Sequence, residues 1–133
     1  MADLNWLAVL AAVIAAQVVS TLWFVVLFGE PWAREFGVAS SQEHAQQIPG
    51  FTYAVQLLCT VVLVVSLALL MEWLAIDSLA GALGLGLFVA IGFCVANGVP
   101  GQAFLKRWRV AAISMGCQSV MILVISLLLG AWR

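Results

Sequence analysis

Charged side chains are scarce in this sequence, and their absence excludes most classes of soluble protein. Only 8% of the 133 residues are charged and 65% are hydrophobic, whereas an average soluble domain has about 25% charged residues. A soluble domain of this size cannot cover so much apolar surface, so the composition predicts an integral membrane protein. A net charge of −1 also offers nucleic acid no basic surface, and we expect no nucleic-acid partner.

Residues that bind metals or perform catalysis are also few. The three cysteines stand singly in apolar segments, and the single histidine, His44, lies among glutamines. We expect the cysteines to pack as small hydrophobic side chains, with a three-thiolate metal site, one ligand from each of three helices, as the alternative. The sequence has no metalloprotease, Ser/His/Asp or phosphate-loop motif, so we expect no enzyme activity, no cofactor and no metal.

Long apolar runs are what the sequence does contain, and they predict four transmembrane helices. The runs cover about residues 4–28, 51–73, 79–98 and 110–130, and each approaches or exceeds the roughly 20 residues that span a bilayer core. The predicted fold class is therefore all-α: a polytopic bundle of four transmembrane helices that forms a single membrane domain, residues 1–133.

The segments between these runs carry turn and capping signals. Pro31 and Gly37 predict the start and the end of a short interfacial helix after the first span. Ser40 and Glu43 fit a capping box in the linker that follows. We expect His44, in the same linker, to be solvated.

The connection between the second and third runs is very short. Residues 75–78 leave room only for an antiparallel hairpin of two neighbouring helices. Asp77 or Ser78 is expected to cap the third helix, and Pro100 is expected to end or kink it.

Small residues recur at every fourth position of the third run. This spacing places them on one helix face, where another helix can approach closely. We therefore expect the third helix to be central in the bundle, with a similar face of the first run, Ala8, Ala12, Ala16 and Ser20, packed against it. The predicted helix-packing seam comprises Ala82, Gly86, Ala90, Cys94 and Gly98.

Polar side chains concentrate in one half of the predicted bundle. A buried amide without a partner is costly in lipid, so we expect these side chains to face the bundle interior. The pattern favours a buried hydrogen-bond network, and a shallow cavity open to the cytoplasm is the alternative. The candidate site residues in this half are Gln17, Thr21, Gln56, Thr60, Asn97, Ser114 and Gln118.

Basic residues predict the orientation of the chain. Arg34, Lys106, Arg107 and Arg109 lie in the two longer linkers, and Arg133 stands alone on the other side. By the positive-inside rule, both linkers face the cytoplasm and both termini lie outside. We expect the cluster at 106–109 to be solvated and to set this topology, with contact to anionic lipids as the alternative.

A short sequence pattern, here called the Gly-x-Pro echo, occurs once in each half of the chain. Gly-Glu-Pro at 29–31 and Gly-Val-Pro at 98–100 each follow an odd-numbered apolar run and precede an aromatic and basic segment. The echo suggests two related hairpins arranged as parallel repeats.

Several motifs resemble those of a known family. They are Asn-Trp-Leu-Ala-Val at 5–9, Leu-Trp-Phe at 22–24, Leu-Phe-Gly at 27–29 with Trp32, and Trp108 leading into Ala112–Gly116. This pattern resembles a widespread family of short bacterial four-helix membrane proteins, catalogued only as a domain of unknown function. Family members usually have Tyr at the position of Phe24 and Asn at that of Ser114. The resemblance implies the fold and supplies no reaction.

The expected function is that of a non-catalytic protein of the bacterial inner membrane. It would act by helix packing, as an accessory or assembly subunit or as a homo-oligomer, with the lipid bilayer and itself or another membrane protein as partners. The alternative is a small transporter or channel with a polar cavity open to the cytoplasmic side.

Overall fold

The structure of the protein is a computed structural model, and it describes residues 4–35, 37 and 48–132. Among these residues, four helices are long and apolar enough to cross a membrane: Trp6–Leu27, Gly50–Trp73, Leu79–Phe104 and Trp108–Ala131, here called spans 1 to 4. A short helix, Gly29–Glu35, follows span 1. The predicted all-α bundle of four membrane helices with a short helix after the first is thereby confirmed. The predicted capping box at Ser40 and Glu43, and His44, lie outside the described residues.

Side-chain caps fix where two of the spans begin. The Asn5 Oδ1 atom accepts a hydrogen bond from the Ala8 N–H at 3.2 Å at the start of span 1. At the start of span 3 the Ser78 Oγ atom accepts one from the Gly81 N–H at 3.0 Å. Ser78, and not Asp77, is therefore the N-cap. Both caps satisfy N–H groups that have no partner within their own helix.

Spans 1 and 3 each contain a π-helical segment. These segments are Leu22–Leu27 in span 1 and Ala90–Val95 in span 3. At the end of the first, the Phe28 N–H donates to the Trp23 carbonyl oxygen, five residues back, at 2.9 Å. A π-turn shifts the face presented by the residues that follow, and such turns are frequent at functional sites. Sequence periodicity gave no sign of either segment.

Span 3 continues past the position where it was expected to end. Pro100 lies inside its last helical segment, Ala96–Phe104, so the predicted boundary at residue 98 is wrong. Proline removes one hydrogen-bond donor and its ring crowds the carbonyl group four residues back, which weakens or kinks a helix without necessarily ending it. The helix ends instead where Lys106 adopts a φ of 57°. There the Arg107 N–H donates to the Gln102 carbonyl oxygen at 2.8 Å, as in a Schellman motif.

Span 4, and not span 3, is the central helix. It packs extensively on spans 1 and 3 and also contacts span 2, whereas span 3 packs mainly on span 4. The small face of span 1, with Ala8, Ala12 and Ala16 buried, therefore packs toward spans 2 and 4 and not toward span 3. The predicted arrangement was wrong because a single small-residue face specifies one close neighbour. A central helix instead buries side chains around more of its circumference, as Ile113, Ile122 and Ser126 do in span 4.

Spans 2 and 3 make few contacts with each other among the described residues, although only residues 74–78 join them. Span 2 ends in a second Schellman-type turn, in which Ala75 has a φ of 52° and the Ile76 N–H donates to the Met71 carbonyl oxygen at 3.0 Å. The connection is as short as predicted, but the two helices that it joins do not pack closely on each other. A short turn brings two helix ends together, but it does not oblige the helices to pack along their length.

The second halves of spans 2 and 4 share one register of burial, whereas in the first halves most buried residues of span 4 correspond to exposed residues of span 2. Each span has 24 residues, so a shift of 58 positions maps Gly50 onto Trp108 and Trp73 onto Ala131. The same shift pairs buried residues of the two spans: Val64 with Ile122, Leu67 with Ile125, Ala68 with Ser126, and Met71 with Leu129. Spans 1 and 3 also resemble each other, because each contains a π-segment and each is associated with a Gly-x-Pro sequence. The pair of spans 1 and 2 therefore resembles the pair of spans 3 and 4.

Candidate functional site

A crevice between spans 1, 2 and 4 gathers most of the predicted polar residues. It consists of two adjacent pockets that share the side chains of Ser20, Phe24 and Gln56. The first, here called the aromatic pocket, has a volume of about 300 Å³ and is also lined by Gln17, Thr21, Trp32, Thr52 and Tyr53. The second, here called the sulfur pocket, has a volume of about 290 Å³ and is also lined by Cys59, Thr60, Cys117, Gln118 and Met121.

The aromatic pocket has one aromatic wall and one hydrogen-bonding wall. Phe24, in the π-segment of span 1, packs edge-on against Trp32 of the short helix, with ring centroids 4.8 Å apart. The Nε2 atom of Gln17 is buried and has no hydrogen-bond partner among the described residues. A buried donor without a partner costs about 1–3 kcal/mol. A ligand that supplied an acceptor here would recover part of that free energy.

The sulfur pocket lies about halfway along spans 2 and 4. Within span 2, the Gln56 Nε2 atom donates to the Thr60 Oγ1 atom at 3.2 Å, and the Thr60 hydroxyl donates to the Gln56 carbonyl oxygen at 2.9 Å. In span 4, the Cys117 thiol donates to the Met121 Sδ atom at 3.7 Å. These bonds join residues of one helix, so they leave the space between the helices open.

Residues related by the 58-position shift line the sulfur pocket from both sides. The pairs are Cys59 with Cys117, Thr60 with Gln118, and Leu63 with Met121. The pocket therefore lies where the two corresponding helices of the hairpins face each other. Span 1 covers it with Ser20 and Phe24, whereas no residue of span 3 lines it.

Two of the predicted polar residues lie away from the crevice. Asn97 is exposed on span 3 and Ser114 is half-buried on span 4, and neither lines the two pockets. Between spans 3 and 4, the Cys94 thiol donates to the Gln118 Oε1 atom at 3.6 Å. The remaining five, Gln17, Thr21, Gln56, Thr60 and Gln118, surround the crevice.

The small-residue seam of span 3 lies against span 4. Ala82, Gly86 and Ala90 are buried, and Cys94 and Gly98 are half-buried. A Cβ atom placed on Gly86 would lie 2.9 Å from the Ser126 Oγ atom, and one on Gly98 would collide with the Met115 side chain. The backbones approach so closely that a larger residue at 86 has no room.

Sequence reasoning missed the contact of Trp23 with span 4. The Trp23 indole N–H donates to the Ile113 carbonyl oxygen at 2.9 Å. A Cβ atom on Gly116 would lie 3.0 Å from the Trp23 Cζ2 atom, so glycine makes room for the ring. The family-like Leu-Trp-Phe motif and the small residue at 116 were the available signals, but nothing in the sequence joins them.

The predicted basic cluster lies at the end of the molecule that carries the short helix. Lys106, Arg107 and Arg109 are exposed. The Nη1 atom of Arg109 lies 3.9 Å from the Glu35 Oε1 atom, an exposed ion pair between span 4 and the short helix. A pair of this kind contributes little to stability because water screens it.

The opposite end of the bundle has its own pocket of about 230 Å³, lined by Asn5, Met71, Glu72 and Trp132 among others. Asn5 Nδ2 donates to the Trp132 carbonyl oxygen at 3.2 Å, which holds the two ends of the described chain together. In the described part of the chain, no three His, Cys, Asp or Glu side chains are grouped closely enough to hold a metal ion. The alternative of a three-thiolate site has no support among these residues.

Four apolar spans, a short helix and a polar crevice define a small multi-pass integral membrane protein, which contacts the lipid bilayer through its apolar helices. The chain belongs to the family described as Protein of unknown function (DUF1761), which matches residues 7–130. The resemblance drawn from the sequence motifs is thereby confirmed. No curated protein and no solved structure matches the chain.

Proposed function

We propose that the protein is a small non-catalytic transporter or channel that takes a small solute into the crevice between spans 1, 2 and 4. The main support is the sulfur pocket, which corresponding residues of spans 2 and 4 line from opposite sides. Transporters built from internal repeats commonly bind their substrate near the bilayer midplane, where the repeats meet. The adjoining aromatic pocket supplies a path toward the end that carries the short helix.

The lining of the aromatic pocket favours an uncharged solute. Among the described residues, its polar groups are amides and hydroxyls, and none carries a charge. The unpaired Gln17 Nε2 atom offers a hydrogen bond to an acceptor, while Phe24 and Trp32 offer apolar contact. Pockets of this kind use a few placed polar groups to orient a ligand and apolar walls to bury it.

Permeation in proteoliposomes tests this proposal. Stopped-flow light scattering would follow vesicle volume after addition of glycerol or urea, and the protein should accelerate recovery relative to empty vesicles. Gln17→Leu together with Gln118→Leu should remove the acceleration because both amides line the crevice. Asn97→Leu, outside the crevice, is the matched control and should retain it. Parent protein that permeates neither solute, or a double variant that behaves as the parent, would argue against transport.

A second candidate is an accessory or assembly subunit, acting as a homo-oligomer through its outer helix faces. The observation that favours it is that Gly84 and Gly92 of span 3 are exposed, and no other described residue lies within 4 Å of a Cβ atom added at either position. Close helix approach in membranes uses such positions. Light scattering of the detergent-purified particle should then give twice the chain mass, reduced to one by Gly84→Leu. A strictly monomeric parent with no co-purifying protein would eliminate this candidate.

We further propose that the protein lies in the bacterial inner membrane with both termini outside the cytoplasm. Arg34, Lys106, Arg107 and Arg109 are all exposed at the end carrying the short helix, where the positive-inside rule expects the cytoplasm. Alkaline phosphatase fused after residue 133 should be active, and green fluorescent protein at the same position should not fluoresce. The opposite pair of results would reverse the proposed orientation.

A further inference from the structure

We propose that the sulfur pocket binds a soft monovalent metal ion, Cu(I) or Ag(I), through Cys117, Met121 and Cys59. All three side chains line this pocket, two from span 4 and one from span 2. The inference goes beyond the proposed transport function, because the ion would bind there whether it crosses the membrane or stays.

The geometry of Cys117 and Met121 suits a shared ion. They are four residues apart on one helix, so their side chains lie on the same face, and their sulfur atoms are 3.7 Å apart. Two sulfurs that each bind one ion at about 2.3 Å, as metal–thiolate sulfurs do, can be at most about 4.6 Å apart. The pair therefore meets this limit without any movement of the backbone.

Cys59 adds a third sulfur from the opposite wall. It corresponds to Cys117 under the 58-position shift and lines the same pocket from span 2. Cys59 is exposed, whereas Cys117 and Met121 are buried. Because Cys59 lies midway along a membrane span, its exposed surface faces lipid, and it would close the site from the outer side of the bundle while the other two sulfurs bind the ion from the inside.

The donor set selects the class of ion. Thiolate and thioether sulfurs favour Cu(I), whereas Mg²⁺ and Ca²⁺ require oxygen ligands. As the bond from Cys117 Sγ to the metal forms, the thiol proton leaves to solvent, and the ion remains monovalent with no electron transferred. Cys59 keeps its proton and contacts the ion as a neutral thiol, and Met121 is a neutral thioether, so the single Cys117 thiolate balances one positive charge and the complex has no net charge. A neutral complex suits a site inside the membrane, where an uncompensated charge is costly.

Transfer of Cu(I) from its coloured bicinchoninate complex tests the proposal on the detergent-purified full chain. The parent should remove one equivalent of Cu(I), read as lost absorbance. Cys117→Ser and Met121→Leu should each weaken binding at least tenfold, and Cys59→Ser should weaken it as well. Cys94→Ser is the matched control, since Cys94 lies outside the pocket and donates to Gln118 Oε1; it should bind as the parent does.

Met121→Leu is the decisive variant because it keeps the side-chain volume and removes only the sulfur. The elution volume of Met121→Leu in size-exclusion chromatography and its helical circular dichroism establish that this variant is folded. If Cys117→Ser does not fold, Met121→Leu alone tests whether the pocket binds the ion. Parent protein that takes no Cu(I) from the complex, Met121→Leu that binds as tightly as the parent, or Cys94→Ser that loses as much would each overturn the site. None of these readings depends on solute flux, so transport and metal binding can fail separately.

Discussion

The Trp23 indole N–H donates to the carbonyl oxygen of Ile113 across 2.9 Å, and this bond joins span 1 to the central span 4. The donor lies in a π-helical segment, and the ring lies against Gly116 of span 4. The bond and the ring contact together fix how the end of span 1 that lines the crevice is placed against span 4.

Trp23→Phe should lower stability by at least about 0.6 kcal/mol, the average measured for hydrogen bonds between membrane helices, which reach about 1.7 kcal/mol at most. Phenylalanine lacks both the indole N–H and the indole atoms that lie against Gly116, so the loss reports on the hydrogen bond to Ile113 and the ring contact together. Unfolding with SDS in mixed micelles, followed by circular dichroism, measures the change. Trp108→Phe is the control, since Trp108 is exposed at the start of span 4. An equal loss in both variants would show that the Trp23 bond contributes nothing of its own.

Gly86→Ala should destabilise the bundle by about 1–3 kcal/mol, the usual cost of overpacking. The added Cβ atom would lie 2.9 Å from the Ser126 Oγ atom and 3.0 Å from its Cβ atom, so spans 3 and 4 would have to move apart. Gly84→Ala on the same helix is the matched control. No other described residue lies within 4 Å of its added Cβ atom, so this change should be neutral or stabilising. The same SDS titration compares them, and a Gly86→Ala variant as stable as Gly84→Ala would contradict the close contact.

Ala75→Gly should stabilise the protein by about 1 kcal/mol, because a left-handed backbone costs an L-residue that much relative to glycine. Ala75 has a φ of 52° in the turn that ends span 2, the position where glycine is usual in a Schellman motif. Ala80→Gly, on the exposed face of span 3, should instead lose roughly 0.5–1 kcal/mol of helix stability. If both changes destabilise the fold in thermal unfolding, the turn conformation is not the one described.

We propose that the basic cluster binds anionic lipid, and changing Lys106, Arg107 and Arg109 together to Gln should reduce that binding. A basic residue near an anionic surface contributes about 1 kcal/mol. Native mass spectrometry would count phosphatidylglycerol and phosphatidylcholine molecules that stay bound, and only the former should be lost. Glu35→Gln should have the opposite effect and increase phosphatidylglycerol binding, because it removes the carboxylate that pairs with Arg109. If the triple variant retains phosphatidylglycerol, the basic cluster does not bind anionic lipid, and setting the membrane topology remains its only proposed role.

Much of the candidate site could be predicted from residue type and depth. Gln17, Gln56 and Gln118 were expected inside the bundle because an amide in lipid needs a partner, and all three line the crevice. Asn97 was included on the same reasoning, but it lines neither pocket of the crevice. Depth along a helix follows from the sequence, whereas the direction a residue faces depends on which helices are neighbours.

The sequence by itself determined the four membrane helices and the short helix and limited the cap of span 3 to Asp77 or Ser78, because these follow from local hydrophobicity and from hydrogen bonds between near neighbours. Only the tertiary structure decided that span 4 is central, that spans 2 and 3 scarcely pack, and that Trp23 meets Ile113. It also brought Cys59 and Cys117 into one pocket. These relationships join residues far apart in the chain, and a small-residue face or a lone tryptophan fits several neighbours equally well until the whole bundle is packed.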